Sequence, residues 1–86
     1  MLKITEQDLN DTSREIIAEI LAVMERKGDH TFHSGHETLG IITEEYHEFV
    51  EAIHSNNKHK IQEELIDLAI SAIAGLISFR KATGIK

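Results

Sequence analysis

The chain of 86 residues has no cysteine, no proline and no tryptophan, and aromatic residues make up only 5% of it. Without cysteine it has no disulfide framework and no metal–thiolate site. Without proline, and with only five glycines, long helices can run without interruption. We expect residues 1–86 to form a single helical domain. A chain this short buries a modest core, so association with other copies is the expected source of further burial.

The sequence also lacks a long apolar run and an excess of basic residues. Its most apolar stretch, residues 68–79, is shorter than the roughly 20 residues that a membrane span needs. The opening "MLKITEQDLN" does not combine a basic segment with an apolar one, so no signal peptide is expected. The net charge of −6 argues against a nucleic-acid polymer as partner. These features favour a cytoplasmic protein without a membrane partner.

Apolar periodicity and capping signals divide the chain into three helices. Thr5 and Thr12 each begin a capping pattern at the start of the first helix, and Gly28 follows its end. Asparagines at 56 and 57 are suited to cap the third helix. The expected helices cover residues 5 or 12 to 27, about 35 to 54 and about 58 to 82.

The third helix carries two apolar stripes. One contains Ile61, Leu65, Leu68, Ala72, Leu76 and Phe79, and the other contains Ile66, Ile70, Ile73 and Ile77. Two stripes on one helix indicate burial on two sides, which the other two helices of a short chain cannot easily provide. The predicted fold is therefore an all-α antiparallel bundle of three main helices, completed by oligomerisation.

A third stripe on the same helix is polar, with Glu64 and Asp67 at its centre. On the second helix, Glu45 and Glu48 repeat the same step of three, which brings side chains on a helix to about 5–6 Å. The short connection "HSNN" makes the two helices antiparallel neighbours, and the two acidic pairs lie at similar depths from it. The four carboxylates are therefore expected to face one another.

Four converging carboxylates repel, at a cost on the order of 3 kcal/mol for one pair about 5 Å apart. A divalent cation relieves this repulsion, and ligands that are all oxygen favour Mg²⁺ or Mn²⁺. Acidic pairs at this spacing are also common on solvated helix faces. The pattern by itself leaves both interpretations open.

Two short motifs resemble a known family. "EEYHE", residues 44–48, followed by "EELID", residues 63–67, is similar to the E-E-x-x-E then E-x-x-D signature of the MazG-like, all-α nucleoside triphosphate pyrophosphatase superfamily, over about residues 35–80. The second motif departs from the commoner pattern, because Ile66 stands where a small residue is usual.

The resemblance implies an enzyme that hydrolyses a nucleoside triphosphate to its monophosphate and pyrophosphate and assembles as a homodimer or homotetramer. It also implies that four residues hold Mg²⁺ and catalyse the reaction, with one of them accepting a proton from the attacking water; which one is left open. These residues are Glu45, Glu48, Glu64 and Asp67.

Other polar residues near these motifs have weaker assignments. Lys60 lies one turn before Glu64 and either contacts a phosphate oxygen or simply pairs with that glutamate. Glu44 is rotated by about 100° from Glu45 on the helix. It is therefore expected either in solvent or in contact with a metal ligand, without binding the metal itself. His30, His33 and His36 suggest a transition-metal site only if their segment is helical, and the expected loop there favours a surface role.

Two alternatives to this activity remain. Phosphoribosyl-ATP pyrophosphatase, a near relative, would need a basic residue and a glycine just before the paired glutamates, where this chain has "IIT". The chain could instead be a non-catalytic dimeric helical adaptor or antitoxin-like module that retains the fold. The adaptor predicts neither magnesium affinity nor pyrophosphate release, and the enzyme predicts both.

Overall fold

The structure, a computed structural model, describes residues 2–86 and folds them into three helices. Strands are absent from this part of the chain, which confirms the all-α class. The helices are α1 (Glu6–Lys27), α2 (Gly35–His54) and α3 (Lys58–Thr83).

Side-chain caps begin all three helices. The Thr5 hydroxyl accepts from the Asp8 amide while the Asp8 carboxylate accepts from the Thr5 amide, so α1 begins at the earlier of its two expected starts. Ser34 and Asn57 accept in the same way from amides in the first turns of α2 and α3.

The α2–α3 hairpin is the most closely packed part of the chain. The start of α2 meets the end of α3, where Thr38 lies beside Gly75, and the end of α2 meets the start of α3, where Glu48 lies near Glu64. The two helices are therefore antiparallel, as predicted. A Cβ atom at Gly75 would come within 2.5 Å of Thr38 Cγ2, so only glycine permits this close approach.

The face of α3 that α2 covers is the polar stripe and not an apolar one. The buried residues of α3 are Glu64, Ser71, Gly75 and Ser78, and Ala52 is the buried residue of α2. Both apolar stripes of α3 instead keep exposed side chains, with Leu65 49% accessible in the first stripe and Ile77 45% accessible in the second. A single chain therefore leaves uncovered the surfaces that the sequence analysis assigned to a core.

Within the part of the chain that the structure describes, helix α1 packs against α3 alone, and none of its residues is buried. Its large apolar side chains, Leu9, Ile17, Leu21 and Met24, are between 41% and 58% accessible. Across residues 2–86, none of the helices combines the length and the apolar character that a membrane span requires.

Candidate functional site

Four carboxylates meet at the α2–α3 interface, near the end of the hairpin that carries the connection. Glu45 and Glu48 project from α2, and Glu64 and Asp67 from α3. One oxygen of each lies within 4.8 Å of the corresponding oxygens of the other three. Among the described residues this is the one such group of three or more potential metal ligands. The spacing of three on each helix and the antiparallel pairing produce this convergence, as the sequence analysis predicted.

The cluster is partly withdrawn from water. Glu64 is only 2% accessible, Glu45 is half-buried and Asp67 is exposed, so the site opens on one side. The Oε2 atoms of Glu45 and Glu64 are buried and have no hydrogen-bond partner within residues 2–86. A buried carboxylate oxygen without a donor is costly. A cation bound among the four oxygens would satisfy both atoms, so these residues fit a divalent metal ion.

The proximity of the acids changes their protonation. Burial and then the neighbouring charges, that of Glu48 first, raise the pKa of Glu45 to about 7. Burial and Glu48 also raise the pKa of Glu64, with a smaller opposing effect from Lys60. Without a cation, part of the cluster is therefore protonated near neutral pH.

The pKa of Asp67 is affected by charges from both α3 and its neighbouring helices. Burial and then the charges of Glu48 and Glu63 raise the pKa of Asp67, and Lys60 opposes them. A smaller rise comes from Glu19 on α1. Sequence reasoning missed Glu19, because contact between α1 and α3 depends on tertiary packing that no local spacing reveals.

Lys60 provides positive charge at the edge of the cluster. Its Nζ atom lies 3.6 Å from Glu64 Oε1 and 3.7 Å from Glu63 Oε2, and its side chain is 55% accessible. Glu63 and then Glu64 raise the pKa of Lys60, so the ammonium group stays charged. Lys60, Glu48 and Glu64 line an open groove of about 460 Å³ together with Ser55 at the end of α2. The lysine thus pairs with Glu64 and also faces this groove.

The remaining candidates lie outside the cluster. Glu44 is exposed and is not a member of the carboxylate group. His30 and His33 fall in the loop before α2, and His36 lies within that helix. The three histidines are exposed, and they do not form a group of potential metal ligands among the described residues.

The loop before α2 is fixed at the opposite end of the hairpin. The Phe32 amide donates to Ser78 Oγ at 2.9 Å, and the Ser78 hydroxyl donates to the Ala74 carbonyl at 2.8 Å. Phe32 and Phe79 border a cavity of about 300 Å³ there. This contact joins residues 46 positions apart, so no local sequence pattern indicates it.

Comparison with known proteins gives one match. The model of the MazG nucleotide pyrophosphohydrolase domain matches residues 33–84, which is more than half of the chain and includes both α2 and α3. No curated protein and no solved structure matches.

Proposed function

The chain belongs to the family of MazG nucleotide pyrophosphohydrolase domains, and from this we propose that it hydrolyses ribo- or deoxyribonucleoside triphosphates to monophosphate and pyrophosphate. The proposed cofactor is Mg²⁺, with Mn²⁺ as a substitute, and the proposed role is the clearing of unwanted nucleotides. The observation that carries the proposal is the buried Oε2 atom of Glu64, which has no hydrogen-bond partner among residues 2–86 and lies among three other carboxylates at the α2–α3 interface.

We propose that Glu45, Glu48, Glu64 and Asp67 hold the metal and form the catalytic site. Their oxygens suit Mg²⁺, which prefers hard oxygen ligands and commonly binds few carboxylates together with substrate phosphates. A bound divalent cation neutralises the repulsion among these acids and the negative charge of the phosphate chain. Because Glu48 lies on α2 and Asp67 on α3, the four ligands stay close to one another only while these two helices remain packed together.

The proposed reaction needs one proton acceptor and one leaving group. The oxygen of water bonds to the α-phosphorus, and the bond from that phosphorus to the bridging oxygen breaks to release pyrophosphate. A carboxylate of the cluster accepts the proton of the attacking water. The structure offers four carboxylates within 4.8 Å of one another for this step, and the proposal leaves the choice among them to experiment.

We assign the phosphate chain to the side of the cluster where Lys60 lies. Its ammonium group is charged, its side chain is more than half accessible, and the residue lines the groove together with Glu64. A lysine in this position can bind a phosphate oxygen as a point charge while it keeps Glu64 in place. For Glu44 we propose only an indirect role in substrate binding, because it is exposed beside Glu45 and is not one of the four clustered carboxylates.

We also propose a homodimer or homotetramer in the cytoplasm as the functional form. The apolar side chains exposed on α1 and on both stripes of α3 support association, since monomeric proteins rarely leave such large apolar surfaces in water. A neighbouring copy that covered these surfaces would supply the core that one chain lacks.

The activity is tested with a panel of ribo- and deoxyribonucleoside triphosphates and Mg²⁺, scored for monophosphate and pyrophosphate in equal amounts. The expected result is equimolar release that EDTA abolishes and Mn²⁺ restores. Monophosphate with orthophosphate alone would indicate stepwise phosphatase chemistry. No turnover of any nucleotide, together with no measurable Mn²⁺ binding, would favour the non-catalytic adaptor.

A further inference from the structure

A heptad pattern runs along the side of α3 that points away from the carboxylate cluster. Its apolar positions alternate steps of three and four residues, and they are Ile66, Ala69, Ile73 and Leu76. At about 100° per residue, these positions lie about 120–200° around the helix axis from Glu64. We call these four residues the outer face of α3. The outer face lies between the two apolar stripes and takes members from both.

The outer face is not covered within the single chain. Ile73 is 38% and Leu76 49% accessible, while Ile66 and Ala69 are half-buried. Helix α2 does not cover this face, because it packs on the opposite side of α3, where Glu64 is buried. A narrow apolar seam with heptad spacing is the kind of surface through which two helices pair.

The outer face is matched to itself in the antiparallel direction. Positions 66 and 76, and likewise positions 69 and 73, are equally far along the chain from residue 71. A second copy of α3 that packs antiparallel about this level sets Ile66 against Leu76 of the partner subunit. It also sets the small Ala69 against the larger Ile73 of the partner subunit. Because a two-fold interface uses the same patch on both copies, each of these contacts forms twice.

The residues at the two ends of the outer face favour the antiparallel direction over the parallel one. Gln62 and Arg80 continue the heptad spacing before and after the face, and both are exposed. Antiparallel packing places Arg80 beside Gln62 of the partner subunit and next to the exposed acid Glu63 of the partner subunit. Parallel packing would instead bring two Arg80 side chains together, where like charges repel. It would also set two Ala69 methyl groups opposite each other and leave a gap in the core.

We propose that the outer face of α3 is a homodimer interface in which two copies of α3 pack antiparallel about residue 71. The inference rests on the proposed function, which includes a homo-oligomer, and it specifies the surface, the direction and the register of the pairing. The carboxylates project from the other side of each α3, so both clusters stay outside this interface.

The absence of cysteine from the chain permits a direct test of the register. Ile66→Cys and Leu76→Cys are prepared as separate proteins, mixed under reducing conditions so that subunits exchange, and then oxidised. In the proposed dimer the two different thiols lie opposite each other. Two copies of one variant would hold their thiols about 15 Å apart along the helix axis, since ten residues separate positions 66 and 76. A disulfide needs Cα atoms within about 7 Å of each other.

The mixture should therefore give at least about tenfold more cross-linked dimer than either variant alone. The matched control mixes Ile66→Cys with Ala18→Cys, an exposed position on α1, and should give only the background of the single variants. Cross-linking of each variant with itself would indicate parallel packing and overturn the inference. Equal cross-linking in the control and in the mixture, or none in any sample, would overturn it as well.

A second measurement does not depend on thiols. Ala69→Glu places a charge at the centre of the face and should weaken self-association at least about tenfold in sedimentation velocity, whereas Ala18→Glu should leave it unchanged. Equal association of the two variants would contradict the proposed interface. Helical content shows whether each variant has folded, and if one approach loses the fold the other decides.

Pyrophosphate release is measured separately on the wild type. Cross-linking in the expected register without turnover of any nucleotide would mean that the interface is correct and the proposed activity is wrong. Turnover without cross-linking would mean the reverse.

Discussion

The α2–α3 hairpin and helix α1 contain similar amino acids but differ in which side chains they bury. Both contain glutamates and aliphatic residues at helical spacing. In the hairpin the acids converge and are partly buried, while apolar side chains remain outside. In α1 the acids are exposed and no residue is buried, and four large apolar side chains, Leu9, Ile17, Leu21 and Met24, remain exposed although the helix packs against α3. The family match begins at residue 33, after α1 has ended.

The carboxylate cluster and the exposed apolar surfaces therefore lie in different parts of the protein. All four carboxylates project from the two helices of the hairpin, and α1 contributes none of them. The hairpin buries polar and small residues, which contribute little hydrophobic free energy. We infer that α1 and the outer face of α3 provide stability through contacts with other copies, and that the hairpin provides the chemistry.

The strongest test of this division replaces acids in the two regions. Asp67→Asn and Glu48→Gln should each lower pyrophosphate release by at least about 10²-fold, because each removes a proposed ligand of the metal. Glu15→Gln, on α1, should change it less than about twofold. Pyrophosphate release and Mn²⁺ binding are measured on all three. If Asp67→Asn keeps wild-type turnover, the carboxylate cluster is not the catalytic site.

The second test disrupts the apolar face of α1. Leu21→Glu places a charge among exposed apolar side chains and should weaken self-association at least tenfold, as measured by sedimentation velocity over a range of concentrations. Thr12→Glu is the matched control, because Thr12 lies on the opposite face of the same helix. Equal effects of the two variants, or none from Leu21→Glu, would remove α1 from the interface.

The third test uses the opposite signs of the pKa shifts in the two regions. Burial and neighbouring charges raise the pKa of Glu45 from its ordinary value of 4.5 to about 7, so between these pH values the folded protein holds a proton that the unfolded chain has lost. The free energy of unfolding of the metal-free protein should therefore fall by about 1–3 kcal/mol as the pH rises from 4.5 to 8. Glu64 and Asp67 shift in the same direction and add to the fall.

A variant of Glu45 and the addition of Mg²⁺ test whether the carboxylate cluster causes this dependence of stability on pH. Glu45→Gln should reduce the dependence on pH, and Mg²⁺ at pH 8 should restore the stability of the wild type. In α1, the Thr5 amide lowers the pKa of Asp8, so its contribution is lost only as the pH falls through that lowered pKa. Urea denaturation at each pH measures both effects. A metal-free protein whose stability rises between pH 5 and 8 would contradict the prediction.

The elements that could be predicted from the sequence are those with local causes. The three helices follow from apolar periodicity and from caps such as Thr5 and Asn57, which act within one turn. The carboxylate cluster follows from a step of three on two helices joined by a short connection. The resemblance to a known family suggested the proposed chemistry, and the match of residues 33–84 to the MazG nucleotide pyrophosphohydrolase domain supports it.

The features that could not be predicted depend on which faces meet. Hydrophobic patterning predicts that apolar stripes are buried, yet α2 covers the stripe of Glu64, Ser71 and Ser78. Small and polar residues allow the two backbones to approach closely there, as the contact between Gly75 and Thr38 shows. The bond from Phe32 to Ser78 is likewise a property of tertiary packing, because it joins distant positions. Both features border the cavity of about 300 Å³ at the end of the hairpin opposite the carboxylates.

The smallest expected effects come from substitutions at the close contact between Gly75 of α3 and Thr38 of α2. Gly75→Ala should destabilise the protein by about 0.5–2 kcal/mol, because the cost of overpacking against Thr38 exceeds the roughly 1 kcal/mol gained in helix propensity. Gly40→Ala, in α2, should instead stabilise it by about 0.5–1 kcal/mol, since a Cβ atom there has no neighbour within 4 Å. Thr38→Ser removes the opposing methyl group and should restore most of the stability lost in Gly75→Ala, as measured by urea denaturation. If the two glycine variants were equally stabilising, helix separation would be free to adjust, and the closed hairpin would not be what holds the four carboxylates together.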